Sequence, residues 1–268
     1  KWDLFLNMKK NQKKFIKEYN NHLKKLKWSK NKCLCGSSKN IRIFNKDRYG
    51  IKNPVCLCLN CGIIRANPIP PIEEMDKFYS SDLYRKIYSA GSLDDYFDKK
   101  ICNYRLEKNP LIYKVTNKFL KNKQDTSILE IGAGGGWNLL PFKEAGFKQI
   151  VGYEPGEYLV NLGRKKTKIN LKIGFIDDLF KIDKKYDLII LNHVIEHLID
   201  PIEKLLQIKD LLNQGGLLYL GLPNIQSYGI GQIQNAHYWY FSPLNFAKLL
   251  TTADYRIVDF GNDHEHMY

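Results

Sequence analysis

Glu130 and Glu154 flank a run of small residues whose spacing suits one kind of ligand. Gly132, Gly134 and Gly136 follow Glu130 at intervals of two, with Ala133 inside the run, giving E-x-G-x-G-x-G. Glycine lets the backbone turn sharply and approach a ligand that side chains would hold off. A pyrophosphate-binding turn reads G-x-G-x-x-G, and here its third glycine would fall on Trp137. A carboxylate at the strand end is a poor neighbour for pyrophosphate and a good one for a cation. Glu154, eighteen residues past Gly136, ends the next apolar run, where a carboxylate can accept both hydroxyls of a ribose. The spacing therefore points to a ligand with a ribose, a positive charge and no phosphate.

Two further groups could do chemistry. His237 and His193 are imidazoles, which with a pKa near ~6.5 can take a proton from a hydroxyl at neutral pH. Cys33 and Cys35 form one close pair, Cys58 and Cys61 a second, each followed by glycine. Paired thiolates about twenty residues apart can close a tetrahedral zinc site. Structural zinc supplies ~10–16 kcal/mol to a module too small for its own core. The first pair is C-x-C, and Cys56 is an alternative fourth ligand. Cys102 stands alone and reads as a core residue. His264 and His266 look like a metal pair but are a weak signal.

The elements that must position these residues follow from periodicity. Residues 127–131 read as a buried strand, 132–136 as a turn and 137–145 as a helix stopped by Gly146, with Pro141 in its early turns. The helix start aims free N–H groups at the same space as the glycines. A second strand ends at Glu154, a helix spans 157–166 and a third strand spans 170–176. Residues 186–191 are a near-continuous apolar run, suited to a central strand covered on both faces. Ligands in such sheets bind beyond the carboxyl ends of the strands, which puts Asn192, His193 and Glu196 at the site's edge. A helix over 201–213, a turn at Gly215–Gly216 and a strand over 217–222 follow. Asp200 is expected to cap that helix. Ser242 and Pro243 predict a helix over 243–252, and further strands are expected over 255–260 and from 264. Upstream, the spacing predicts a helix within residues 1–28, which packs on its own protein, on a second copy as a homodimer, or on a membrane surface. Helices are also expected over 72–79 and 93–122.

S-adenosylmethionine has the required ribose, charge and lack of phosphate, and the chain resembles the class I S-adenosylmethionine-dependent methyltransferases. The pieces that carry the resemblance are ILEIGAGGG, VGYEP, YDLIILNHVIEHLIDP and LLNQGGLLYLGLPN, in the family's order over roughly residues 125–260. The resemblance implies a doubly wound, Rossmann-like α/β sheet. It also implies a cofactor site of Glu130, Gly132, Ala133, Gly134, Gly136, Glu154, Pro155, Asp177, Asn192 and His193, with Asp177 beside adenine. CLCGS, CLNCGII, NPIPP and FYSSDLYR, over residues 30–90, resemble the zinc-binding module that precedes sugar methyltransferases, where it walls the substrate site. On that resemblance Tyr79, Tyr84, Arg85, Asn224 and Tyr240 are substrate candidates. The segment around His237 resembles the E-H-x-x-Y-F-S pattern of sugar C-methyltransferases, with Ala236 in place of the glutamate. Losing that carboxylate favours oxygen over carbon as acceptor, with His237 as first candidate for the general base and His193 as second. The expected organisation is an N-terminal helix (1–29), a zinc-binding module (30–90), a helical connector (91–124) and a catalytic domain (125–268).

Composition narrows the partners. The 268 residues are 44% hydrophobic, enough for one sizeable core plus a small module. No apolar run is long enough to span a membrane. The N-terminus lacks the apolar core of a signal peptide, so a reducing cytoplasm with free or zinc-bound thiols is expected. Net charge is +14, but only seven of the 42 basic residues are arginine. Specific phosphate or base recognition favours arginine forks, so nucleic acid is not the expected partner. The expected acceptor is a small molecule, most simply a nucleotide-linked sugar methylated on oxygen. Methylation of carbon or nitrogen, or of RNA, are the alternatives.

Overall fold

The computed structural model describes residues 10–81, 83–88, 98, 110–228, 231, 233–262 and 266–268. Outside the described residues lie the apolar positions before residue 10, most of the helical expectation over 93–122, Cys102, His264 and the side chain of Arg85. From residues 91–124, Leu111–Asn117 is helical.

Among the described residues, ten strands form two sheets. The larger has six strands: β4 (Ser127–Ile131), β5 (Gln149–Glu154), β6 (Leu171–Ile173), β7 (Tyr186–Asn192), β8 (Leu212–Pro223) and β10 (His266–Met267). Their order is β10-β8-β7-β4-β5-β6, and all neighbours are parallel except the β10–β8 edge. This is the doubly wound α/β arrangement the sequence implies. Strand order reverses between β4 and β7, so a crevice opens beyond their carboxyl ends.

Side-chain parity divides the core. Alternate residues of a strand face opposite ways. Leu129, Ile131, Ile189 and Leu191 pack into one apolar layer, whereas Ile128, Leu188 and Ile190 pack into the other, with Phe142 and Val160. Burial of both faces is why β4 and β7 read as near-continuous apolar runs.

The smaller sheet joins the two ends of the chain. β1 (Asn40–Lys46), β2 (Lys52–Cys58) and β3 (Ile64–Ala66) form an antiparallel meander. The fourth strand, β9 (Trp239–Tyr240), comes from far downstream and pairs Ile64 with Tyr240 and Arg65 with Trp239. The residues just after His237 are therefore built into the cysteine module's sheet. The helix Lys10–Leu23 lays Ile16, Tyr19 and Leu23 into the same core, and Tyr19 stacks on Phe78 at 4.6 Å. The apolar face of this described helix therefore packs on its own protein. No helix among the described residues is long and apolar enough to cross a membrane.

Several local expectations are corrected. Residues 137–139 form a 3-10 turn before the helix Leu140–Glu144. The third strand is only Leu171–Ile173, because Phe175 N–H bonds Asp178 Oδ2 at 2.9 Å and starts a helical turn over Ile176–Leu179. The helix Pro201–Asp210 ends early, and β8 begins at once. The glycine pair sits in an irregularity where pairing jumps from Tyr186–Leu212 to Leu188–Leu217. Asp200 occupies the N-cap position without a side-chain capping bond. Residues 255–260 pair with no strand; the β8 edge is taken by β10 instead. The helix Pro243–Thr252 matches its expected bounds, with Ser242 Oγ accepting from Asn245 N–H at 3.3 Å.

Candidate active site

A cavity of about 470 Å³ lies at the carboxyl ends of β4, β5 and β7. On the sheet side it is lined by Gly132, Glu154, Pro155, Asp177 and His193, and on the opposite side by Tyr79 and Tyr84 from the module. Such a volume suits one drug-sized ligand. Of the residues expected at the site, these seven are the ones the fold brings together around the space.

The glycine run divides its labour. Gly132 has φ 71°, and a Cβ there would lie 2.5 Å from Val194 Cγ2, so only glycine keeps this wall open. Gly134 and Gly136 do not line the cavity. A Cβ on Gly134 would strike the Trp137 ring at 2.5 Å, and one on Gly136 would press on Leu171 and Ile169 at 3.2 and 3.3 Å. Ala133 is 1% exposed and packs beneath Gly152, where a Cβ would meet its own at 2.6 Å. These three residues shape the turn, and none of them is among the residues that line the cavity.

Glu154 ties that turn to the next strand. Its Oε2 accepts from Gly134 N–H and its Oε1 from Gly156 N–H, both at 3.0 Å. The same carboxylate lines the cavity, where an acidic residue at a strand end can accept from vicinal hydroxyls. Glu130 behaves differently from expectation. It shares the parity of Ile128, so the strand turns it into the apolar layer and away from the cavity. Its side chain is fully buried; Oε1 accepts from Asn138 Nδ2 at 2.7 Å, and Oε2 has no hydrogen bond among the described residues. Burial, only partly opposed by Asn138, pushes its carboxyl up to about 8.

The other expected ligands have protein partners in this structure. Asp177 is on the cavity wall, but its carboxylate pairs with Lys204 Nζ. Asn192 abuts Gly221, where a Cβ would lie 2.3 Å from Asn192 Oδ1, and it does not line the cavity. Asn224 is buried and holds its own turn through Gln226 N–H at 3.0 Å and Ser227 Oγ at 3.1 Å. Tyr240 is buried against Val55 and Ile233, accepts from Asn53 Nδ2 and donates to Gln234 O, each at 2.9 Å.

Behind the cavity wall stands a group that the sequence reading only half saw. Glu196 is 1% exposed. Its Oε1 lies 3.4 Å from His193 Nδ1, 3.9 Å from His197 Nε2 and 3.9 Å from His237 Nε2. Burial alone would push its carboxyl up, but the neighbouring His193 and the field of His197 hold it below the usual range. His197 Nδ1 is 2.8 Å from Ala236 O and also contacts Tyr79 Oη. Tyr79 in turn donates to Ala236 O at 2.8 Å. His193 sits at φ 57°, an uncommon conformation for a non-glycine residue and one that clusters at functional sites. His237, the first-ranked base, is 2% exposed and lies behind His197, their ring centroids 4.6 Å apart. Burial, then the fields of His197 and His193, keep its ring neutral, well below the ordinary imidazole range. The sequence puts Glu196 at the site's edge, and the one local signal for His197 is the Glu-His pair a few residues past the central strand.

The cysteines meet as expected. Cys33 Sγ lies 3.5 Å from both Cys61 Sγ and Cys35 Sγ, and Cys35 Sγ lies 3.7 Å from Cys58 Sγ. Four sulfurs at Zn–S bonds of ~2.3 Å would stand about 3.8 Å apart along each edge of a tetrahedron, so this set can hold zinc. Cys56 is not part of it: its sulfur accepts from Arg42 Nε at 3.3 Å.

The chain's own features fit S-adenosylmethionine. The wall at Gly132 is open, the Glu154 carboxylate lines the cavity, and Lys204, the one lysine or arginine among the described residues on its wall, is already paired with Asp177. Comparison with known proteins agrees. Residues 104–259, more than half of the chain, match the methyltransferase-domain family. Among solved structures, magnesium protoporphyrin IX methyltransferase from Synechocystis PCC 6803 with bound SAH superposes at a TM-score of 0.53, with 15% identity, over 74% of this chain and 97% of that one. The plantazolicin methyltransferase BpumL in complex with SAH gives 0.51, with 21% identity, over 66% and 72%. Among curated proteins, the tRNA U34 carboxymethyltransferase of Campylobacter fetus is 27% identical over 110 residues, 39% of each chain. That of Shewanella sp. (strain ANA-3) is 30% identical over 36% of this chain and 31% of its own length, so the chain spans about two-fifths or less of these relatives. The chain belongs to the methyltransferase-domain family, and its larger sheet has the fold of these methyltransferase structures.

Proposed function

We propose that the enzyme methylates a hydroxyl of a small polar acceptor, a nucleotide-linked sugar or related surface-polysaccharide precursor, and that the four cysteines hold a structural zinc. The observation that carries the reading is the two-sided cavity. One wall is the sheet's cofactor side with Gly132 and Glu154; the other is Tyr79 and Tyr84 of the cysteine module. Aromatic faces of this kind stack on sugars and bases and exclude water.

S-adenosylmethionine, when bound, supplies an electrophilic methyl group on a sulfonium. The protein's task is to position the acceptor and remove its proton as the methyl arrives. Glu154 would hold the ribose, and Gly132 would let the backbone come close. The proton would pass to the histidine cluster around Glu196. His237 is the candidate from the sequence pattern, and His193 is the imidazole on the cavity wall. A neutral ring is the form that can accept a proton, and burial keeps His237 in that form.

A second reading has specific support. The curated relatives are tRNA-modifying enzymes by name, and the chain carries +14 net charge. One experiment separates the two: mass spectrometry of products after incubation with S-adenosylmethionine and a panel of nucleotide-linked sugars, with RNA alongside. A gain of one methyl on a sugar nucleotide, located on oxygen by fragmentation, is the expected result. Methyl appearing only in RNA would overturn the sugar reading, and binding that weakens steeply with salt would accompany it.

A further inference from the structure

We propose that Glu196, His197 and His237 form a binding site for a divalent transition-metal ion, separate from the four-cysteine cluster. The three candidate ligand atoms lie within 4.8 Å of one another. Glu196 is 1% exposed, and neither of its carboxylate oxygens accepts a hydrogen bond from any described residue. Its nearest polar contact is His193 Nδ1 at 3.4 Å, longer than a well-formed hydrogen bond, and a buried carboxylate held that loosely is costly and can take a cation.

The ring orientations sharpen the argument. Ala236 O, 2.8 Å from His197 Nδ1, can only accept, so Nδ1 carries the proton. In the neutral ring, Nε2 then presents a lone pair toward Glu196 Oε1 at 3.9 Å. His237 Nε2 faces the same oxygen, also at 3.9 Å. A proton cannot bridge such gaps, since hydrogen bonds of this type span ~2.7–3.2 Å. An ion with bonds of ~2.0–2.2 Å holds its ligand atoms about 3.0–3.5 Å apart, so each side chain would move well under an ångström to close the site. Metal-binding histidines commonly donate their other ring N–H to a backbone carbonyl, as His197 does to Ala236.

Two imidazoles and a carboxylate favour zinc, manganese or iron(II) over magnesium and calcium, which prefer oxygen ligands. His193 Nδ1, 3.4 Å from the same oxygen, stands on the cavity side, where it and His197 line the wall. The ion would therefore enter from the cavity. The competing arrangement is a hydrogen bond, because the Gln234 amide lies against His237 Nε2. Under the function proposed above, and resting on it, an ion here would take His237 out of proton transfer and leave that task to His193.

The test uses the full chain, its cysteines kept zinc-loaded, with Mn²⁺ as the probe and neither S-adenosylmethionine nor acceptor present. Electron paramagnetic resonance should count one bound Mn²⁺ per chain. Glu196→Gln and His197→Asn should each weaken that binding at least tenfold. Should those variants fail to fold, the unmodified protein still decides. Mn²⁺ should broaden the imidazole NMR signals of His193, His197 and His237 well before that of His22, which is partly exposed and paired with Glu74. No bound Mn²⁺, unchanged affinity in folded Glu196→Gln, or broadening of His22 equal to the cluster's would overturn the proposal. Calorimetry with S-adenosylmethionine alone reports on the cofactor site, so a failed metal site and a failed methyltransferase reading give different results.

Discussion

Glu130 shows how one side chain's parity decides its chemistry. On β4 it shares a face with Ile128, so its carboxyl is most stable there as the neutral acid, with a pKa near 8 against an ordinary 4.5. Between those values the folded protein holds a proton that the unfolded chain has released. Stability is therefore greatest at low pH by this group and falls as pH rises from about 5 to about 8, by roughly 5 kcal/mol at most. Glu130→Gln should flatten that slope, measured as the denaturant midpoint of the cofactor-free protein at pH 5, 7 and 9. An equally steep slope in the variant would assign the titration to another group. Gly132 makes a second residue-scale case. Gly132→Ala imposes a left-handed conformation that costs about 1–2 kcal/mol and sets a methyl 2.5 Å from Val194 Cγ2. The variant should bind S-adenosylmethionine at least tenfold more weakly by calorimetry, with a lowered melting temperature.

At the scale of elements, the helix Ile72–Ser80 reaches across to the sheet through one hydroxyl. Tyr79 Oη meets His197 Nδ1 and Ala236 O, so the module helps fix the ring that faces Glu196. Tyr79→Phe keeps the aromatic wall and removes that tie. Turnover should fall about tenfold or more while the affinity for S-adenosylmethionine changes little; a proportional loss of both would mean the hydroxyl serves the cofactor instead. This contact also marks what the sequence could reveal. The strand ends at Glu154 and Asn192, the helix started by Ser242 and Pro243, and the cysteine pairs are local patterns, and each forms as its spacing predicts. The facing of Glu130 is also local, since it shares the parity of Ile128 on the same strand. Strand 170–176 shortens because Asp178 captures a backbone N–H, and 255–260 pairs with no strand while β10 pairs with β8 at Leu222 and Pro223. Pairing partners of that kind are decided by tertiary contacts, which periodicity does not encode. The cluster of Glu196, His197 and His237 spans about forty residues of sequence, so no spacing rule brings it together.

The whole molecule is linked through β9. Because Trp239 and Tyr240 complete the cysteine module's sheet, the module's integrity and the position of His237 are one property. Trp239 is 1% exposed and Tyr240 3%, and Asn245 of the following helix donates to Cys61 O at 3.0 Å, a second tie at the edge of the four-sulfur set. The parallel strands β4, β5 and β7 take no part in that pairing; the layer of Ile128, Leu188 and Ile190 and the Glu154 bonds to Gly134 and Gly156 lie within the larger sheet, and the opposite layer is shared with the module's core. Stripping zinc with a thiol-competent chelator, or replacing Cys58 by Ser, should therefore abolish turnover. In hydrogen exchange, protection should be lost first in β2, β3 and β9 together, and residues 234–242 should loosen with them. β4 and β7 should keep their protection, and S-adenosylmethionine affinity should fall less than turnover. The opposite pattern, β2 and β3 opening while β9 and turnover persist, would mean that the site holds His237 through Glu196 and the catalytic sheet alone. The module would then be a wall to the cavity and not a support for its chemistry.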